Sequence, residues 1–283
     1  MNELALFAGA GGGILGGKLL RWRTVAAVEW EPYPAAILTQ RQNEKVLESF
    51  PIWDDIQTFD GKPWNGIVDV VSGGFPCQDI SSAGKGAGLD GDRSSMWYHM
   101  LRVIKEVDPE YAFIENSPHL RTKGLTVVLQ GLAQAGYDAA WGVLSAEDCG
   151  ANHERKRMWI LAKRVQVANT DLYRESVSTI NAKAQGLSGA SGVCEEELPN
   201  TCMPGVKRWN RKQSSCKESR TLGLATTWWQ TPPDLYRMDD GVAFGMDRLK
   251  AIGNGQVPIV AATAFSQLKK IVDNINKEVK CKD

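Results

Sequence analysis

The sequence predicts an α/β protein with a doubly wound, mostly parallel sheet, and three observations predict it. Over the first 165 residues short apolar runs alternate with amphipathic stretches, the pattern of strands joined by crossover helices. The first apolar run passes straight into a glycine-rich turn, which is how such a sheet delivers its first strand to a helix N-terminus. Later runs end in carboxylates and a cysteine rather than in more apolar residues, and in sheets of this kind ligands bind beyond the carboxyl ends of the strands.

Taken in order, Leu4–Phe7, Thr24–Val28, Ile67–Val71, Tyr111–Ile114 and Met158–Ala162 read as buried strands, rich in Val, Ile, Leu and aromatics. Between them Pro34–Gln42, Ser94–Val107 and Thr126–Ala135 have the apolar spacing of helices. From about Val165 the pattern stops, and Ser, Thr, Asn, Gly and Lys dominate up to about Gln230. Order returns past Pro233, where an amphipathic helix from about Val257 should pack back on the sheet. The expected organisation is a catalytic and cofactor-binding part over 1–164, a small irregular region over 165–235, and a C-terminal return over 236–283 that completes the first part.

Composition excludes several classes. With 283 residues, 43% hydrophobic and 23% charged, the chain is of ordinary globular make-up and long enough to bury a core without disulfides or metals. Its 33 basic and 33 acidic residues cancel, but residues 151–230 hold 13 basic against 7 acidic. A local excess of that sign suits an anionic partner such as nucleic acid, or an ordinary solvated face. Six cysteines form no CxxC pair and three histidines no HxxxH pair, so no metal site is expected. LALFAGAGGGILGG is apolar, but Glu3 stands where a signal peptide would be basic. No apolar run reaches the roughly 18 residues needed to span a bilayer, so a soluble cytoplasmic protein without membrane contact is expected.

Phe7-Ala8-Gly9-Ala10-Gly11-Gly12-Gly13 follows the first strand, and glycines there let a ligand approach the backbone closely. Gly11, Gly13 and Gly16 formally satisfy GxGxxG, which fits nicotinamide and flavin binders as well. Glu29 and Trp30 end the second strand, an acid placed for ribose hydroxyls and an indole placed for adenine. A nucleoside-bearing cofactor follows; whether it is a dinucleotide stays open on these residues. Cys77 follows the next strand, between Pro76 and Gln78, and opens a polar loop running to Arg93. An isolated cysteine is most often inert packing, yet this position presents a nucleophile. Glu115 closes the following strand, either a helix-capping acid or, with Cys77, a proton donor facing the same pocket.

The ordered set LFAGAGG, VEW, GGFPCQ, ENSP, HERKR and GNGQVP resembles that of the DNA (cytosine-5) methyltransferases, of the small phage and prophage type. The resemblance implies a Rossmann-like methyltransferase fold that moves methyl from S-adenosyl-L-methionine to carbon 5 of cytosine in double-stranded DNA. It implies Cys77 as the thiolate that adds to carbon 6, and Glu115 as the group that holds a proton on ring nitrogen 3. It assigns Arg155 and Arg157 to the base or to the active-site carboxylate. Phe7, Gly9, Gly11, Glu29, Trp30, Asp55, Ile56, Pro76 and Asn254 would hold the cofactor. Gln78, Ser81 and Arg93 in the loop after Cys77, with Lys207, Arg208, Arg211 and Lys212 in the basic segment, would meet the DNA, from which the target base must be flipped. A monomer is implied, with a cognate restriction enzyme as a candidate partner.

Four departures accompany the resemblance: His153 stands where Gln is usual, Ser117 where Val is common, Gln256 at a usually apolar position, and no RLQGFP-like motif follows the irregular region. An RNA cytosine methyltransferase, a nicotinamide oxidoreductase and a catalytically silent DNA-binding regulator are the competing readings. PCQ argues against the first, the ENSP and HERKR sets against the second, and intact Cys77, Glu115 and Arg157 against the third.

Overall fold

The computed structural model describes residues 1–76, 96–165, 206–208, 247 and 250–280, with backbone alone at 123, 206–208 and 275–280. The chain divides into two units, Met1–Arg164 with Gly205–Asp283, and Val165–Pro204; the fold described here is that of the first. Apart from Val165 and 206–208, the expected recognition region lies outside the described residues.

Strands β1 (Asn2–Leu6), β2 (Arg23–Val28), β3 (Ile52–Trp53), β4 (Val70–Gly74), β5 (Tyr111–Asn116), β6 (Tyr137–Leu144), β7 (Arg157–Arg164) and β8 (Val206–Arg208) form one sheet, in the order β3-β2-β1-β4-β5-β7-β6-β8. From β3 to β5 every pairing is parallel. The order reverses between β1 and β4, where each half winds outward, and such a switch point opens a crevice at the strand ends. This is the doubly wound, mostly parallel sheet expected from the sequence.

Three features differ from that expectation. The strand expected at Met158–Ala162 runs antiparallel to both β5 and β6, because strand direction leaves no trace in apolar periodicity. The strand β6, YDAAWGVL, is not among the expected strands, since Ala and Gly occupy positions where β-branched residues mark a strand. The short β3 is also unheralded.

Helices cover both faces. On β5, Ala112 and Ile114 join the cluster under α3 (Met96–Val107) and, past the short α4 (Leu120–Lys123), α5 (Leu125–Gln134), while Tyr111 and Phe113 join the one under α6 (Pro258–Lys280). This is the period-2 alternation of a strand buried on both sides. Helix α3 inserts Trp97, Met100, Leu101, Ile104 and Val107, spaced at one face of a 3.6-residue helix. The helices α1 (Gly12–Leu19) and α2 (Pro32–Asn43) contribute Ile14 and Leu38 to a third cluster with Ala5 and Ala27. Asp273 of α6 fastens that helix to the sheet by accepting from Lys163 Nζ at 2.6 Å and Tyr111 OH at 3.2 Å.

Glu3, the second residue of β1, lies wholly buried. Its carboxyl oxygens accept from Thr24 Oγ1 at 2.7 Å and Ser72 Oγ at 2.6 Å, one partner on each flanking strand. Burial outweighs these bonds and pushes its pKa up. Among the described residues no helix is long and apolar enough to cross a membrane.

Candidate active site

The carboxyl ends of β1, β4 and β5 converge on one cavity, walled on a further side by the segment leading into α6. It is lined by Phe7, Gly9 and Gly13 after β1, Gly73 and Gly74 of β4, Glu115 of β5, and Asn254 and Gln256 of the return.

The turn after β1 takes its shape from its sequence. Phe7 has φ 51 and Gly9 φ 55, the left-handed region that a bulky residue seldom occupies. Nothing lies within 4 Å of where a Cβ on Gly9 would sit, so this glycine keeps open space beside the backbone. Gly11 serves packing instead: with φ 89 it caps α1, and a Cβ there would meet Leu38 Cδ2 at 2.9 Å. Glu29, expected from the sequence as a ligand of ribose, is 7% exposed. Its Oε2 accepts from Gly9 N–H at 2.6 Å and its Oε1 from Glu31 N–H at 2.8 Å. Each carboxylate oxygen has a second lone pair, so these bonds fix the group and leave acceptor capacity over. Burial still raises its pKa against both bonds.

Other expected cofactor residues are spread more widely. Trp30 is 68% exposed, an indole face in solvent beside the end of β2. Asp55 accepts from Gln57 N–H at 2.8 Å and shapes the turn after β3. Ile56 is buried in the core, and its carbonyl accepts from Arg102 Nη2 at 2.6 Å. Pro76 is exposed. Asn254 is exposed and lines the cavity with Phe7 and Gly9.

Glu115 is the chemical centre of the described site. Paired with Gly74 across β4 and β5, it is 8% exposed. Its Oε1 meets Arg157 Nε at 2.9 Å, and the Gln256 amide lies beside its Oε2 over Gly74. Burial raises its pKa to about 7, while Arg157, Arg155 and Gln256 pull the other way. The ion pair alone would predict a strongly acidic group, so desolvation wins here. At neutral pH the carboxyl therefore exists in both protonation states, as a general acid needs. Next to it, Asn116 Nδ2 donates to Phe75 O at 3.0 Å and anchors the chain two residues before Cys77.

The two arginines of the HERKR segment divide their work. Arg157 contacts Glu115 directly. Arg155 turns to the return instead, its Nη2 donating to Gly253 O at 2.5 Å and Gly255 O at 2.6 Å. Lys250 Nζ, 2.7 Å from Glu31 Oε1, ties the same segment to the loop after β2. Cys77, Gln78, Ser81, Arg93, Arg211 and Lys212 lie outside the described residues; Lys207 and Arg208 belong to β8, of which the backbone alone is described. Among the described residues no three His, Cys, Asp or Glu side chains gather as metal ligands. Sequence reasoning used Glu3 only against a signal peptide and left the role of Gln256 open; the signals were a carboxylate among the apolar residues of β1 and a polar residue at a usually apolar position of the last motif.

A parallel sheet with a glycine turn after its first strand and an antiparallel strand beside the catalytic edge has the Rossmann-like architecture of methyltransferases. A family model described as C-5 cytosine-specific DNA methylase matches residues 1–265, and the chain belongs to that family. The Type II methyltransferase M.PspPI of Psychrobacter sp. (strain TA137) is 35% identical over 174 residues, 59% of this chain and 39% of that protein. The Type II methyltransferase M.NgoMIV of Neisseria gonorrhoeae is 32% identical over 176 residues, 59% of this chain and 53% of that protein. The matched stretch thus spans about half the length of these relatives or less. Among solved structures, S. pombe Dnmt2 methyltransferase is similar with a TM-score of 0.47 and 20% identity, over 68% of this chain and 57% of that one.

Proposed function

We propose that the protein transfers a methyl group from S-adenosylmethionine to carbon 5 of cytosine at a specific sequence in double-stranded DNA. The observation that carries this reading is Glu115, buried at the end of β5 with a pKa of about 7, in the same cavity as the glycine turn. Family membership supplies the reaction class.

Carbon 5 of cytosine is a weak nucleophile, and the chain's own groups have to activate it. The Cys77 thiolate adds to carbon 6 as Glu115 gives its proton to nitrogen 3, leaving carbon 5 as an enamine carbon. Arg157 keeps the Glu115 carboxyl group in place and stabilises its anion once the proton has gone. Methylation at carbon 5 is followed by loss of the carbon 5 proton to solvent, expulsion of the Cys77 thiolate, and return of the nitrogen 3 proton to Glu115. In a duplex the base has to leave the stack for any of this to happen.

The cavity suits the cofactor: the space beside Gly9 would be filled by any Cβ, and Phe7 and Asn254 wall it. When bound there, S-adenosylmethionine supplies the methyl group as a sulfonium. Glu29→Ala releases the two N–H groups that its carboxylate holds, and hydrogen bonds to charged groups contribute about 1.5–3 kcal/mol each. Affinity for S-adenosylmethionine by calorimetry is expected to fall by about 10-fold or more, with DNA binding in the cofactor-free state nearly intact; unchanged affinity would remove Glu29 from the cofactor site.

Residues 165–235 are proposed to choose the target, with phosphate contacts from Lys207, Arg208, Arg211 and Lys212 adding salt-sensitive affinity. A restriction enzyme cutting the same sequence is the natural partner, given relatives named as Type II methyltransferases.

Fluorine at carbon 5 cannot leave as a cation, so it tests the mechanism. A duplex with 5-fluorocytosine at the target should accept methyl and stall as a thioether that survives denaturing electrophoresis, only when S-adenosylmethionine is present. Cys77→Ala should lose the trapped band and methylation together. Peptide mapping that places the base on Cys149, or a Cys77→Ala protein that still methylates, would overturn the reading.

A further inference from the structure

Gln256 occupies a slot that three glycines keep open. Its backbone carbonyl lies where a Cβ on Gly12 would be. Its side-chain Oε1 is 2.6 Å from where a Cβ on Gly13 would be, and its Nε2 is 3.5 Å from the same point on Gly74. The Glu115 carboxylate crowds that point on Gly74 through Oε2, leaving Oε1 to Arg157. The Gln256 amide and the Glu115 carboxyl group thus crowd the same point on Gly74, and the amide draws the carboxyl pKa down, as a donating N–H does beside a carboxylate. The backbone just before it is pinned, since Arg155 holds the carbonyls of Gly253 and Gly255.

We infer that Gln256 is a positioning residue for the Glu115 carboxyl group, joining the glycine turn after β1 to the proton donor at the end of β5. The inference deepens the methyltransferase reading and rests on it for the role of Glu115, but the contact itself can be tested without turnover. Arg157 and Gln256 approach the carboxyl group from different elements, β7 and the return, and together they restrict the rotation that one partner alone would permit. Among the described residues the charged groups acting on Glu115 are Arg157 of β7 and Arg155 just before it; Gln256 is the neutral donor that completes the set. Its N–H favours the charged carboxylate, so its loss should make Glu115 hold its proton to higher pH.

Gln256→Met keeps the length of the side chain and removes the donor. In protein carrying 13C-labelled glutamate, with no cofactor or DNA, the Glu115 carboxyl resonance is assigned by its disappearance in Glu115→Gln. Its titration midpoint in Gln256→Met is expected about one pH unit above wild type, and the alkaline limb of methyl transfer should move the same way. Gly13→Ala, which displaces the same amide from its other side, should move the midpoint upward by less. It also serves if Gln256→Met does not fold. A folded variant whose Glu115 titrates as in wild type overturns the positioning role. Wild-type protein that shows the shift on mutation but never methylates DNA overturns the functional reading and leaves the positioning role standing.

Discussion

Glu115→Gln is expected to lower methyl transfer by about 10²–10⁴-fold, the usual contribution of a positioned general acid. The glutamine fits the same space but has no proton to deliver to nitrogen 3. The wild-type rate carries a second signature. Glu115 has a pKa of about 7, so its donor form is present below that pH and is lost as pH rises through it. Single-turnover rates should fall on the alkaline side around neutrality in wild type and show no such limb in Glu115→Gln. A variant within threefold of wild type, or a limb that persists in it, would remove Glu115 from the proton chemistry.

Arg157→Ala should destabilise the fold in a pH-dependent way. Breaking a buried ion pair from one side typically costs about 3–5 kcal/mol, because the remaining charge is left without compensation. Glu115 is 10% exposed at its side chain and Arg157 25%, so most of that range should apply at pH 8. The direction follows from linkage. The folded protein already holds the Glu115 proton more tightly than an unfolded chain, whose carboxyl titrates near the ordinary 4.5. Stability from this group is therefore fullest below that value and declines as pH rises through the folded pKa. Without Arg157 the folded pKa rises further and the decline deepens. Urea midpoints of the variant and wild type should differ most at pH 8 and least near pH 5. A difference equal at both would assign the loss to arginine packing alone.

The sheet was legible because its strands are buried on both faces and appear as short apolar runs; Tyr111–Asn116 shows this most plainly, with all six residues buried. The antiparallel course of β7 was not, since reversing a strand preserves its alternation. Strand β6 hid behind Ala139, Ala140 and Gly142, small residues that fit under α5 and α6 without marking a strand. At the site, Glu115 and Arg157 were legible from their places after strand and motif, and the structure brings them to 2.9 Å. Arg155 was grouped with them by the same resemblance, but it lies ahead of β7 and its guanidinium reaches the return instead. Gln256 stood out only as a polar residue in an apolar place. Its partners, Gly13 and Gly74, are far from it in the chain, and no local pattern reports such a meeting.

The closeness of Gln256 to the turn at Gly12 and Gly13 also bears on when chemistry becomes available during folding. That contact closes a loop of more than two hundred residues, whereas the parallel pairings of β1 with β2 and β4 close far shorter ones. Closure entropy grows with the logarithm of loop length, and contacts distant in sequence tend to form late. A chain that has assembled β1 to β5 thus holds its acid and its glycine turn before the amide that sets them in register. The contact that sets the proposed proton donor is therefore expected to form after the parallel part of the sheet.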